Sequence, residues 1–225
     1  MSGAGILACA ADGDSYASNL AALLHFDGSD IVDAKGHTVT IVGSAALSAT
    51  QARFGDKSLF CPGQTDGITV GASADFAMSA SSLFTLEFWV YPTVVTDCIP
   101  IWLNDPGSSG GGGLYLSFTG ARKISSYCLG GGAVTTANSF TLNAWNHVAA
   151  IKGANRFAVG INGVLTSATG LFPGTPASSW RLDINRHPVF AGMTGCYYDE
   201  IAFYQGIEKY TGSTYTVPSS PFGNA

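Results

Sequence analysis

Residues 82–92, SLFTLEFWVYP, alternate with a period of two: Phe84, Leu86, Phe88 and Val90 fall on one side, Thr85, Glu87, Trp89 and Tyr91 on the other. That period belongs to a β-strand, whose successive side chains point to opposite faces. Comparable runs recur down the chain at AALLHF (21–26), HTVTIVG (37–43), KSLFCPG (57–63), DGITVG (66–71), CIPIWLN (98–104), GLYLSFT (113–119), RKISSYCL (122–129), WNHVAAIK (145–152), WRLDIN (180–185) and GCYYDEIAFYQ (195–205). Gly, Pro, Asp or Asn bounds most of them. In RFAVGINGVLTSAT (156–169), Asn162-Gly163 supplies the two positive φ angles of a type I′ turn, which predicts a tight hairpin. Helical periodicity is absent at useful length; SADFAM (73–78) is at most one turn. A chain with about a dozen short strands exceeds a seven-stranded immunoglobulin-type domain and calls for a two-sheet antiparallel jelly-roll sandwich.

Composition agrees. Of 225 residues, 11% are charged against a typical quarter, and 29 are Gly, as many short strands joined by tight turns require. A net charge of −5 argues against a phosphate-binding surface, so nucleic acid is not an expected partner. No stretch reaches the roughly 18 apolar residues that span a bilayer. Ile6-Leu7-Ala8-Cys9 has the look of a lipoprotein cleavage box, but no Lys or Arg precedes Cys9, and the opening reads as a small-residue arm. Cys9, Cys61, Cys98, Cys128 and Cys196 are odd in number and widely spread, without a CxxC pair, which predicts buried free thiols rather than a disulfide framework or zinc site. The expected organisation is an arm over residues 1–20, one domain over 21–206 and an extended C-terminal tail over 207–225, where Pro218 and Pro221 prevent central strand pairing. DPGSSGGGG (105–113) reads as a flexible loop.

LLHFDGS (23–29), ARFGDKSLFCPG (52–63), FTLEFWVYP (84–92), WNHVAAIK, the FAVGINGVL hairpin and GCYYDEIAFY (195–204) occur in that order. Together they resemble the laminin-G-like branch of the concanavalin A-like lectin/glucanase superfamily, over roughly residues 20–205. The LLHFDGS opening and the YTGSTYTVPSSPF ending are similar to versions encoded by tailed bacteriophages. The resemblance implies an all-β jelly roll with extended terminal arms, acting as a non-enzymatic virion component: a capsid decoration or fibre protein, assembled in the host bacterial cytoplasm. It also implies other virion proteins as partners, a closed homo-oligomer taken as a trimer, and a role in adhesion to host-surface glycans. The alternative is a free-standing carbohydrate-binding module.

In that fold Glu87, Trp89 and Tyr91 look away from the core, and they form a candidate glycan face, with Trp102 or Tyr115 as possible additions. The competing reading places the C-terminal segment or a loop over them as a small second core. Asp199 shares parity with Ile201 and Phe203 and is expected among core-facing residues. The resemblance implies a structural calcium held by Asp27 and Asp199; against it stands a role for Asp199 in capping backbone N–H groups at a bulge. No catalytic residues are expected. Retaining or inverting glycosidases need two facing carboxyls; Glu87 has only Thr85 and Trp89 as same-face neighbours, and Asp199 and Glu200 are adjacent. His25, His37, His147 and His187 show no triad or metal spacing, and His147 reads as structural.

Overall fold

A computed structural model describes residues 14–79, 81–104, 113–128, 132–169, 179–187 and 189–223. The N-terminal arm before residue 14, with Cys9, and residues 105–112 of the Gly-rich loop lie outside the described residues.

The described residues form fifteen strands: β1 (Leu20–Leu24), β2 (Val39–Val42), β3 (Ala46–Ser48), β4 (Ser58–Cys61), β5 (Gly67–Ser73), β6 (Phe84–Tyr91), β7 (Cys98–Asn104), β8 (Gly113–Phe118), β9 (Ile124–Cys128), β10 (Val134–Thr135), β11 (Asn146–Lys152), β12 (Arg156–Ile161), β13 (Val164–Thr169), β14 (Trp180–Ile184) and β15 (Cys196–Gln205). Every pairing between them is antiparallel. One sheet runs β13-β12-β11-β6-β15-β4-β3, with β1 also on β15; the other runs β10-β9-β8-β7-β14-β5-β2. The expected jelly-roll sandwich is the observed fold. SADFAM contributes a 3-10 turn, Ala74–Phe76, capped by Ser73. No described helix is long and apolar enough to cross a membrane.

The alternating residues meet between the sheets. Phe84, Leu86, Phe88 and Val90 of β6 pack with Ile101 and Leu103 of β7, Leu114 and Leu116 of β8 and Leu182 and Ile184 of β14. Burying each such side chain stabilises by about 1.5–3 kcal/mol, which makes this slab the main driving force for the fold. The Asn162-Gly163 hairpin forms as expected, with φ of 49° and 89°. The four described cysteines are free and buried; burial pushes the Cys128 thiol up to about 12, so it is unreactive.

Two features depart from strand regularity and decide where the site residues go. A register shift in β15 between Asp199 and Ala202 inserts a bulge, with Glu200 at φ 48°. Tyr198, Ile201 and Phe203 therefore face the core, while Ala202 and Tyr204 face outward beside Trp89. Asp199 pairs with Trp89 on that outer side, not with the core-facing set expected from parity, because the extra residue reverses the count.

The C-terminal segment lies across the outer face of the larger sheet. Leu165 N–H donates to Ser213 O, Tyr215 N–H to Gly163 O, and Phe222 N–H to Glu200 Oε2. Beneath it, Leu20, Leu23, Trp89, Ala202, Tyr204 and Phe222 form a second core.

Candidate functional site

The second core settles what became of the predicted glycan face. Glu87 is fully buried and Trp89 is 4% exposed, so neither is open to a sugar. Glu87 Oε1 accepts from Lys209 Nζ (2.6 Å), Oε2 accepts from Tyr210 Oη (2.6 Å), and His147 Nε2 stands 3.3 Å from Oε2. Burial alone would raise the Glu87 carboxyl; His147 and Lys209 overcome it and hold it down to about 2. Burial keeps His147 below its ordinary value against the opposing pull of Glu87, and its Nδ1 meets Tyr215 Oη at 2.8 Å. Its expected structural role matches this setting. The Arg53 guanidinium lies 4.1 Å over the Trp89 ring, sealing it from the side. Tyr91 is half-buried among Trp145 and Tyr197 and does not join the other two in an open face.

Asp27 and Asp199 are brought to one loop, over residues 53–57, but as caps. Asp199 Oδ2 accepts from Arg53 N–H (2.7 Å) and Phe54 N–H (3.2 Å), and Oδ1 from Glu200 N–H (2.9 Å). Asp27 Oδ1 accepts from Asp56 N–H (2.9 Å) and Lys57 N–H (3.4 Å). Gly55, at φ 59°, lets the loop close on Asp27: a Cβ there would sit 2.1 Å from the carboxylate. Lys57 Nζ donates to Gly28 O. Burial pushes the Asp199 carboxyl up to about 7 against the pull of its N–H donors. N–H groups thus donate to three of the four carboxylate oxygens, and no group of three or more His, Cys, Asp or Glu that could hold a metal ion occurs among the described residues.

Among the described residues, the outer face of the other sheet is left uncovered by the C-terminal segment. Its outward residues line up at one register level: Thr40 opposite Thr69, Thr69 opposite Asp183, Asp183 opposite Trp102, Trp102 opposite Tyr115, and Tyr115 opposite Tyr127. Alternation of β2, β5, β7, β8, β9 and β14 at this level puts these six on the side away from Leu182, Leu103 and Leu116. Tyr115 and Tyr127 stack at 4.6 Å and are half-buried. Trp102 forms the floor, covered by His187 at 4.2 Å, and His187 in turn meets Phe190, which is 58% exposed. Burial lowers the His187 pKa.

Asp183 organises the polar half of this face. Its Oδ1 accepts from Thr69 Oγ1 (2.5 Å), and its Oδ2 from Arg181 Nε (2.9 Å) and Asn104 Nδ2 (3.2 Å). Arg186 donates to Thr69 Oγ1 at 3.0 Å. Asn104 is fully buried, and its Oδ1 has no partner. Beside the row runs a groove of about 340 Å³ lined by Val42, Gln64, Thr65, Arg186, His187, Val189, Phe190 and Ala191, within the usual size of small-molecule sites. Trp102 and Tyr115 were legible as outward aromatics, but they lie on the sheet opposite Trp89. Asp183, Asn104 and Arg186 carried no sequence signal of their own; the parity of WRLDIN was the one clue, since it sets Arg181 and Asp183 on one side.

A jelly roll with one face sealed by its own terminus, and an aromatic and polar row across the other, is a lectin-like sandwich. The family model for the laminin-G-like group of the concanavalin A-like lectin/glucanases superfamily matches residues 62–206, and the chain belongs to that family. No curated protein matches the sequence. Among solved structures it is similar to the binding domain of Paraclostridial Mosquitocidal Protein 1 (14% identity, TM-score 0.65, covering 84% of this chain and 49% of that one). It is also similar to the receptor-binding domain of botulinum neurotoxin C/D mosaic serotype (13%, 0.66, 86% and 49%). A third is domain 4 of an extracellular GH43 arabinanase from Geobacillus stearothermophilus, in complex with arabinotriose (20%, 0.60, 85% and 94%). The chain thus spans about half the length of the two toxin domains. At these identities the likeness shows the fold, and these neighbours are binding domains.

Proposed function

We propose that this chain is a non-enzymatic glycan-adhesion module whose binding surface is the accessible part of the outer row, Thr69, Tyr115 and Tyr127, backed by the buried Trp102 and Asp183. The observation that carries the reading is the stacked, half-buried pair Tyr115 and Tyr127 on the sheet face opposite the one that residues 207–223 cover. Aromatic rings bury sugar C–H surface while fixed polar groups set orientation. Asp183 is the single carboxylate among the described strand residues of this face, and glycoside hydrolysis needs two. The arabinotriose-bound neighbour of the same fold supports the ligand class. On a glycan array, wild-type protein should bind a defined subset of oligosaccharides, and Tyr115→Ala should lose at least about tenfold in affinity, in line with one ring contact. Equal binding by Tyr115→Ala and Tyr91→Ala would move the site elsewhere.

The likeness of LLHFDGS and YTGSTYTVPSSPF to phage-encoded versions of the domain supports placing the module in a tailed-phage virion, as a decoration or fibre component beside other virion proteins. A closed homo-oligomer belongs with that placement, since virion surface proteins repeat symmetrically. Native mass spectrometry from calcium-containing buffer tests both points at once. A discrete oligomer without stoichiometric calcium is expected; a monomer would return the free-standing binding module to first place.

A further inference from the structure

The glycan-binding reading leaves the class of sugar open, and the charges around the groove narrow it. The lining of the groove includes Arg186 and no carboxylate, so its one full charge is positive in a chain of net charge −5. Arg186 spends one N–H on Thr69 Oγ1, and its Nε and second amino group have no partner among the described residues. Two hydrogen bonds away along Thr69 and Asp183, Arg181 is bound to the Asp183 carboxylate through Nε, which leaves both terminal nitrogens without a partner among the described residues. Only Arg181 is paired with the Asp183 carboxylate, which also accepts from Thr69 and Asn104, so Arg186 has no carboxylate partner among the described residues.

A guanidinium with two adjacent free donors matches a planar carboxylate in a way that a lysine does not. Next to it, Gln64 and Thr65 offer hydroxyl partners, and the exposed Phe190 offers an apolar surface of ring size. Resting on the glycan-binding reading, we infer that the groove between Phe190 and Gln64 takes a carboxylate-bearing sugar, with Arg186 as the residue that selects the acid. The acidic residue of the glycan occupies the groove, and its neighbouring residues extend past His187 towards Tyr115 and Tyr127.

The test is an array of acidic oligosaccharides, both uronate- and sialate-containing, each paired with its methyl ester, probed with wild type and Arg186→Gln. Arg186 makes one side-chain hydrogen bond among the described residues, to Thr69, so the variant is expected to melt within about 2 °C of wild type. The expected result is acid binding at least about tenfold tighter than ester binding, weakening with salt and abolished as a preference in Arg186→Gln. Equal affinity for acids and esters, or a preference that survives Arg186→Gln, overturns the inference and leaves the glycan reading intact. Binding of neither set overturns both.

Discussion

Replacing Asn185 with Ala should lower stability by at least about 4 kcal/mol, a melting-temperature fall of about 8–16 °C for a chain of this size. Its Nδ2 donates to Asp66 O (2.8 Å), Met193 O (2.9 Å) and Gly63 O (3.3 Å), and its Oδ1 accepts from Met193 N–H (2.7 Å) and Tyr198 Oη (2.9 Å). The residue is fully buried at the point where β14 leaves its sheet, so its loss strands several polar groups with no water to replace it. Its φ of 54° adds a backbone cost of about 1 kcal/mol for Ala. Asn185→Gly separates the two contributions. Thermal unfolding of both variants should show losses within about 1 kcal/mol of each other; a near-wild-type Gly variant would assign the whole effect to the backbone and sink the hydrogen-bond account.

Lys209→Met should cost about 3–5 kcal/mol, because it leaves the Glu87 carboxylate buried with its countercharge removed. The lysine also binds Tyr204 Oη and lies 3.6 Å from Asp14, so it joins both termini to the sheet. The double variant Glu87→Gln with Lys209→Met should recover most of the loss, since no unpaired charge then remains. A double variant as unstable as the single one would show that packing, not charge, holds the segment down. The same pair sets an acid limit. Glu87 has its folded-state pKa depressed to about 2 from an ordinary 4.5, so its contribution is complete above 4.5 and is lost as pH falls towards 2. Asp199 acts in the opposite sense: with its folded value raised to about 7, it favours the folded state below 3.8 and withdraws that support as pH rises through 7.

The sequence by itself determined the strands, their alternation and the fold class. Period-two runs such as those of β6, β7 and β14 state which residues must be shielded together, and the Asn162-Gly163 turn follows from local φ preferences alone. Short β3 and β10 were not legible, because two or three residues carry no period. Tertiary structure alone decided which outer face stays open. Glu87 and Trp89 alternate as a binding face would, and only the passage of residues 207–223 over them turns that face into a second core. Parity likewise placed Asp199 inward until the bulge at Glu200 reversed it. The row from Thr69 to Tyr127 is assembled from strands far apart in the chain, and its polar centre at Asp183 exists only once β5, β7 and β14 lie side by side. Local pattern specifies which side of each strand is apolar; cross-strand register and the path of the termini specify which polar sides meet, and those depend on contacts that no single segment encodes.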